Sequence, residues 1–325
     1  MRTTHLLAIS LATGLLAACS SPGNTPAVSA ATHKAAMASL PANASTAEVA
    51  AHMRGGVHCP ADLPPIPKGT PVDDIVGVRP GLTYTQAANA VMCSNPLLVV
   101  TPETGRGFDI QTYGQTIRQG FSARFAKARV EKTGRQIMRE MEQETLDRET
   151  NAVRQDMQPG QSKWFVSTMG MPGQEKVIGA ARELWFDKGR NPTADSVAKS
   201  LIAKYGTPTS KQHYAGSASR ELLWAYDPRG RLITETSPSY NRCNGVADPD
   251  QGMSLSPDCG IAVKAEIVGM RNNKELAQYL QVGVIDQAGG YNALTATKQG
   301  LQAMDAARRT KQVKNAAKNA EAVQY

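Results

Sequence analysis

Aromatic side chains are scarce in this chain, at 5% of residues. Any core therefore has to be built from aliphatic side chains and alanine, which the 41% hydrophobic content makes feasible. The apolar run from Leu6 to Leu16 falls short of the roughly 20 residues that a permanent membrane-crossing helix needs. The five histidines form no metal-ligand pattern: His52, His58 and Cys59 lack a fourth ligand, and His213 stands alone. No tandem repeat is present, and no acid, base or nucleophile falls at a diagnostic spacing. Acidic residues are outnumbered, leaving a formal charge of +8.

The N-terminus has a basic start at Arg2 followed by that short apolar run, the pattern of a secretory signal over residues 1–18. It ends in Leu16-Ala17-Ala18-Cys19, which resembles a bacterial lipobox. The resemblance implies cleavage before Cys19 and lipidation of its sulfur, giving a lipoprotein held at a membrane by its first residue. Ser20, rather than Asp, resembles the outer-membrane sorting pattern, so the implied location is the periplasmic face of the outer membrane. The mature chain, about 300 residues, suffices for one large domain or two small ones. A basic envelope protein meets anionic head groups and cell-wall polymers first, so nucleic acid is not the expected partner.

Once Cys19 carries lipid, four cysteines remain: Cys59, Cys93, Cys243 and Cys259. An even number in an oxidising compartment suggests two disulfides, with three connectivities open and free buried thiols as the alternative. Each of Cys59–Cys93 and Cys243–Cys259 lies within one region of sequence, which favours that pairing.

Residues 19–58 are rich in Ala, Ser, Thr and Pro and read as a flexible tether, with a turn of helix from Ala47 to Met53. Pro60 to Pro71 is too proline-rich for helix and should run extended from Cys59. Within an N-terminal α+β region, 59–158, Thr83 and Gln86 form a capping box that predicts a helix from Tyr84 to Cys93. Phe121, Ala123 and Phe125 alternate as in a half-buried strand. A long polar helix is expected from Val130 to Met157, with Ile137, Met138, Met141 and Thr145 as its apolar stripe. A sheet-plus-helix module, 159–290, should hold strands at Lys163–Met169 and Glu175–Phe186 around Met171-Pro172-Gly173. A helix capped by Thr193 should follow, with Val197, Leu201 and Tyr205 on its inner face and Gly206 as its stop. A hairpin of 220–226 with 232–236 is expected around Asp227-Pro228-Arg229-Gly230, with Ile261 to Ile267 as third strand. Residues 291–325 read as a helix fraying after Val313, then a basic tail. The fold class is α+β: antiparallel sheets covered by helices.

Three elements are similar to the BamE/SmpA family of small outer-membrane lipoproteins: Gly81-Leu82-Thr83 at a helix start, Tyr205-Gly206-Thr207-Pro208, and Trp224-Ala225-Tyr226. In this chain they are spread more widely than in the family. The resemblance implies a helix-plus-antiparallel-sheet module and assigns no functional residue.

Other motifs weigh towards ordinary structure. Ser196-Val197-Ala198-Lys199 fits the Ser-x-x-Lys pattern of penicillin-recognising enzymes, with Ser239-Tyr240-Asn241 and Lys132-Thr133-Gly134 as companions. The last of these precedes the serine, whereas that family has it at the end. Asp248-Pro249-Asp250-Gln251-Gly252 approaches a calcium loop, but Cys259 holds the position of the closing glutamate. Trp164, Trp185 and Trp224 fall in strands and suit a core. Arg308, Lys311, Lys314 and Lys318 share a helix face that could touch anionic lipid or cell-wall polymer. No metal or other cofactor is implied. The expected function is non-enzymatic binding or scaffolding of envelope components, membrane-held through the lipid; an envelope hydrolase with an unrecognised site is the alternative.

Overall fold

The computed structural model describes residues 39–67, 69–102, 107–129, 133–150 (backbone alone for 143–150), 157–214, 218–245, 247–250 and 252–318. Cys19 and the rest of the signal and lipobox lie outside the described residues. Among the described residues, helices α1 (Thr46–Arg54), α2 (Tyr84–Ser94), α3 (Gly134–Thr150), α4 (Ala194–Tyr205) and α5 (Gln287–Ala317) accompany ten strands. The strands are β1 (Leu98–Pro102), β2 (Gly120–Phe125), β3 (Ser162–Met169), β4 (Lys176–Trp185), β5 (Ser210–Tyr214), β6 (Ser219–Ala225), β7 (Ala247–Asp248), β8 (Gly252–Met253), β9 (Ile261–Met270) and β10 (Asn273–Asp286). Eight of them form one antiparallel sheet in the order β1-β2-β3-β4-β10-β9-β6-β5, and β7 pairs with β8. The class is α+β, and the sheet draws strands from both regions distinguished in the sequence.

One face of the sheet carries the main core. Phe121, Trp164, Val166, Ala180, Val282, Val263, Ala265, Ile267, Leu222 and Trp224 are buried there with α2 and α4. The helices form because their ends are capped and one stripe of each is apolar. In α2 the Thr83–Gln86 capping box is complete, and Tyr84, Ala87, Ala88 and Val91 are buried. The Tyr84 ring meets Phe121 edge-on at 5.2 Å. In α4, Thr193 Oγ1 accepts from the Ser196 N–H, Val197, Leu201 and Tyr205 face inward, and Gly206 ends the helix at φ 82°. Tyr205 packs on Trp224 at 5.1 Å, and the Trp224 Nε1–H donates to the Gly206 carbonyl.

Several expectations are corrected. Residues 232–236 do not form a strand: the turn at 227–230 closes and Tyr226 bridges Leu232. Ile233 is then buried against Leu223 and Cys243, and Thr234–Ser237 hydrogen bonds bend the chain away. The neighbours of β6 are β5 and β9 instead. The stripe on α3 is not buried: Ile137, Met138 and Met141 are 46, 57 and 57% exposed, and the Thr145 side chain lies outside the described residues. The far end of the expected tether is folded, since α1 buries Val49 and Ala50 with Ala44, Val99 and Ala126. The last helix begins earlier than expected, at Gln287 behind an Asp286 cap, and stays helical past Val313.

Candidate functional site

The segment before α2 is pinned at several points. Ile75 and Val78 exchange backbone hydrogen bonds across a tight turn at Val76-Gly77, both at positive φ. The Asp74 carboxylate accepts from the Gly77 N–H at 2.9 Å and from Lys204 Nζ at 2.9 Å, and its carbonyl accepts from the Tyr205 hydroxyl. Gly81 and Leu82 hydrogen-bond Val177 of β4. The Arg79 guanidinium, 9% exposed, donates to the carbonyls of Pro64 and Pro65 and holds the extended proline-rich stretch in place.

Between this segment, the turn at 227–230 and the start of α5 lies a cleft of about 690 Å³. Asp73, Arg79, Asp227, Arg229, Asp286 and Asn292 are its principal polar lining, set among prolines and glycines. Asp227 is fully engaged in its turn. It accepts from the backbone N–H of Arg229 and Arg231 and from the Arg231 side chain, and the Arg231 bonds hold its carboxyl below the usual range. Gly260 is required by the turn, since a Cβ there would sit 2.2 Å from the Asp227 carbonyl oxygen.

The N–H groups at the start of α5 are already satisfied. Gln287 and Ala288 donate to the carbonyls of Gly260 and Cys259, and Gly289 donates to the Asp286 carboxylate. This helix end is therefore not an open anion site. Asp73 is different. Its Oδ1 is buried and has no hydrogen-bond partner among the described residues. Burial pushes its carboxyl up to about 6, opposed by Arg79 and reinforced by Asp74 and Asp286. Thr70 is the one hydroxyl side chain in the described lining; no serine, cysteine or histidine reaches it. Such a cleft can hold a polar ligand and exchange a proton at Asp73.

The opposite face of the sheet carries a second polar assembly. Lys163, Glu183, Gln281, Glu266, Glu221 and Gln212 stand directly opposite one another across six strands from β3 to β5. Lys163 and Glu183 are 2% and 0% exposed and 3.6 Å apart. Both oxygens of Asp250 lie 3.0 Å from Lys163 Nζ, and Glu183 accepts from Trp185 Nε1–H. Asp248 accepts from Gln281, so these two bonds fasten the β7–β8 hairpin onto the sheet. The calcium-loop look-alike is thus a latch.

No family model, curated protein or solved structure matches this chain. The site residues expected from sequence are distributed as follows. Cys59–Cys93 and Cys243–Cys259 are disulfides with Cα atoms 5.5 and 5.2 Å apart. The second adjoins the cleft, because the Cys259 carbonyl receives Ala288. Arg308, Lys311 and Lys314 lie far along α5 and Lys318 caps its end, all exposed. The Ser196 hydroxyl donates to the Thr193 carbonyl and Lys199 is exposed, so Ser196-Val197-Ala198-Lys199 is an ordinary helix turn. His52 hydrogen-bonds Ser39, and no metal-holding cluster occurs among the described residues. Sequence reasoning missed Asp73, Arg79 and Asp286. The available signals were the Asp73-Asp74 pair ahead of a turn, and Asp286 three residues before Gly289.

Proposed function

We propose that this protein is a lipoprotein of the cell envelope, held at the periplasmic face of the outer membrane through Cys19. In this reading its folded body binds or scaffolds another envelope component without catalysing a reaction. The observation that carries the reading is Leu16-Ala17-Ala18-Cys19 directly behind a basic start and a short apolar run. The two disulfides support it, because an oxidising compartment maintains such bonds. The cleft at Asp73 and Arg79 is the assigned binding site. It is preformed, walled by four separate stretches of chain, and lined by both carboxylate and guanidinium groups.

Cys19→Ser tests the anchor. The variant should fail to incorporate labelled fatty acid and should leave the membrane fraction or accumulate uncleaved. Continued labelling, with partition into membranes after a high-salt wash, sinks the lipoprotein reading. A photo-crosslinking residue at Arg229, on the cleft wall, should capture a partner in intact cells that the same probe at exposed Lys188 does not.

One observation favours the second reading, an envelope hydrolase: a cleft carboxyl titrating near 6 is placed to give and take protons at neutral pH. In that case Asp73→Asn abolishes a turnover while Arg229→Ala merely weakens substrate binding.

A further inference from the structure

Among the described residues, nothing packs beneath the last turns of α5. Leu301 and Asp305 are the final buried residues of the helix, and every residue from 306 to 318 is exposed. At 1.5 Å per residue this end projects by about 18 Å. Along it stand Arg308, Arg309, Lys311, Lys314 and Lys318, with no aspartate or glutamate among them. At the root, the nearly buried Asp305 carboxylate receives Arg308 and Arg309, which stiffens the helix where it leaves the sheet. Lys311, Lys314 and Lys318 fall within one narrow sector of the helix, given its 3.6-residue turn. Val313 is the one large apolar side chain on the projecting part. The arm therefore lacks the apolar face needed to insert into a bilayer and can act only by charge at a surface.

We propose that this arm is a docking surface for the anionic head groups of the membrane to which the protein is tethered. The proposal rests on the lipoprotein reading, because a tethered body is kept within reach of a bilayer. Charge complementarity supplies the rest: a rigid row of cations without intervening acids matches a sheet of phosphates. Lipid and arm together fix the orientation of the body, which neither does alone.

The mature chain from residue 19 onwards, carrying Cys19→Ala, has neither lipid nor the apolar signal and isolates the arm. It should bind vesicles of equal parts phosphatidylglycerol and phosphatidylcholine at low salt and lose them as salt rises. Vesicles of phosphatidylcholine alone should not bind. Each basic residue at such a surface is worth roughly fivefold in affinity. Replacing Lys311, Lys314 and Lys318 by glutamine should therefore weaken binding about a hundredfold, with the circular dichroism spectrum and unfolding midpoint retained. Undiminished binding by the triple variant overturns the proposal, as does equal binding to neutral vesicles. Failure to bind anionic vesicles while binding soluble polyphosphate, or while forming a salt-sensitive dimer, assigns the arm to another partner and also overturns it. Failure of the lipoprotein reading is scored separately, by fatty-acid labelling of the Cys19→Ser variant.

Discussion

Replacing Asp73 by asparagine should make the protein more stable at neutral pH and less responsive to acid. The folded-state pKa of Asp73 lies near 6, above its ordinary 3.8. The native state consequently holds an extra proton between about pH 4 and pH 6, and stability falls as pH rises through that window. Above it, the ionised carboxylate, with Oδ1 buried and unpartnered, is a standing cost. A displacement of about two pH units sets a ceiling near 3 kcal/mol. Solvent in the cleft screens part of it, so about 1–2 kcal/mol is expected from Asp73→Asn at about pH 7.5. Urea unfolding at about pH 7.5 and pH 4.5 measures both the gain and the pH slope. Asp73→Ala, which introduces no amide donors, should flatten the slope in the same way. If both variants are less stable than the parent at the higher pH and keep its slope, Asp73 is not the strained group and the electrostatic account of the cleft fails.

Three further outcomes follow from packing. Reducing the Cys243–Cys259 bond, or replacing both cysteines by serine, should cost about 3 kcal/mol in thermal or urea unfolding, as expected for a loop of this length; a loss under about 1 kcal/mol would show that the insertion is held by its other contacts. Leu201→Asp, on the buried face of α4, should cost on the order of 4 kcal/mol, whereas Ser196→Ala and Lys199→Ala should leave unfolding unchanged; a tolerated Leu201→Asp contradicts the placement of α4. Lys163→Met removes the ammonium beside the fully buried Glu183 and should cost about 3–5 kcal/mol, much of it recovered by adding Glu183→Gln; if the double variant is no better than the single, the coupling is absent.

The elements legible in the sequence were those with local punctuation. The capping residues Thr83 and Thr193, the stop at Gly206, and Met171-Pro172-Gly173 between β3 and β4 each announce a boundary within a few residues. The strand β10 was not legible. It is buried on both faces towards its C-terminal end, so Val282, Gly283, Val284 and Ile285 show no alternation to read. β5 was missed for the opposite reason: Ser210-Lys211-Gln212-His213-Tyr214 is a mostly exposed edge with little apolar signal. The turn at 227–230 was read correctly, but the strand expected after it is displaced by contacts from distant residues 243 and 259. The disulfides were inferred from spacing within each region, whereas the cleft gathers residues 67–81, 227–230, 260–261 and 286–292 and has no local signature.

The position of β10 also sets a clock. It is the last of the described strands, yet it lies between β4 and β9 and hydrogen-bonds both. Until residues 273–286 are available, β1 to β4 and the β5–β6–β9 group are separate ribbons, each with an unpaired border where the sheet will later close. Joining β4 to a strand about 100 residues downstream is a slow, long-range step. A chain delivered from its N-terminus therefore stays open, and able to be threaded, until nearly all of it has arrived. In the exported reading, the sheet is completed only on the far side of the membrane. Truncations that remove β10 should accumulate as two sticky, protease-sensitive halves rather than as a smaller folded protein.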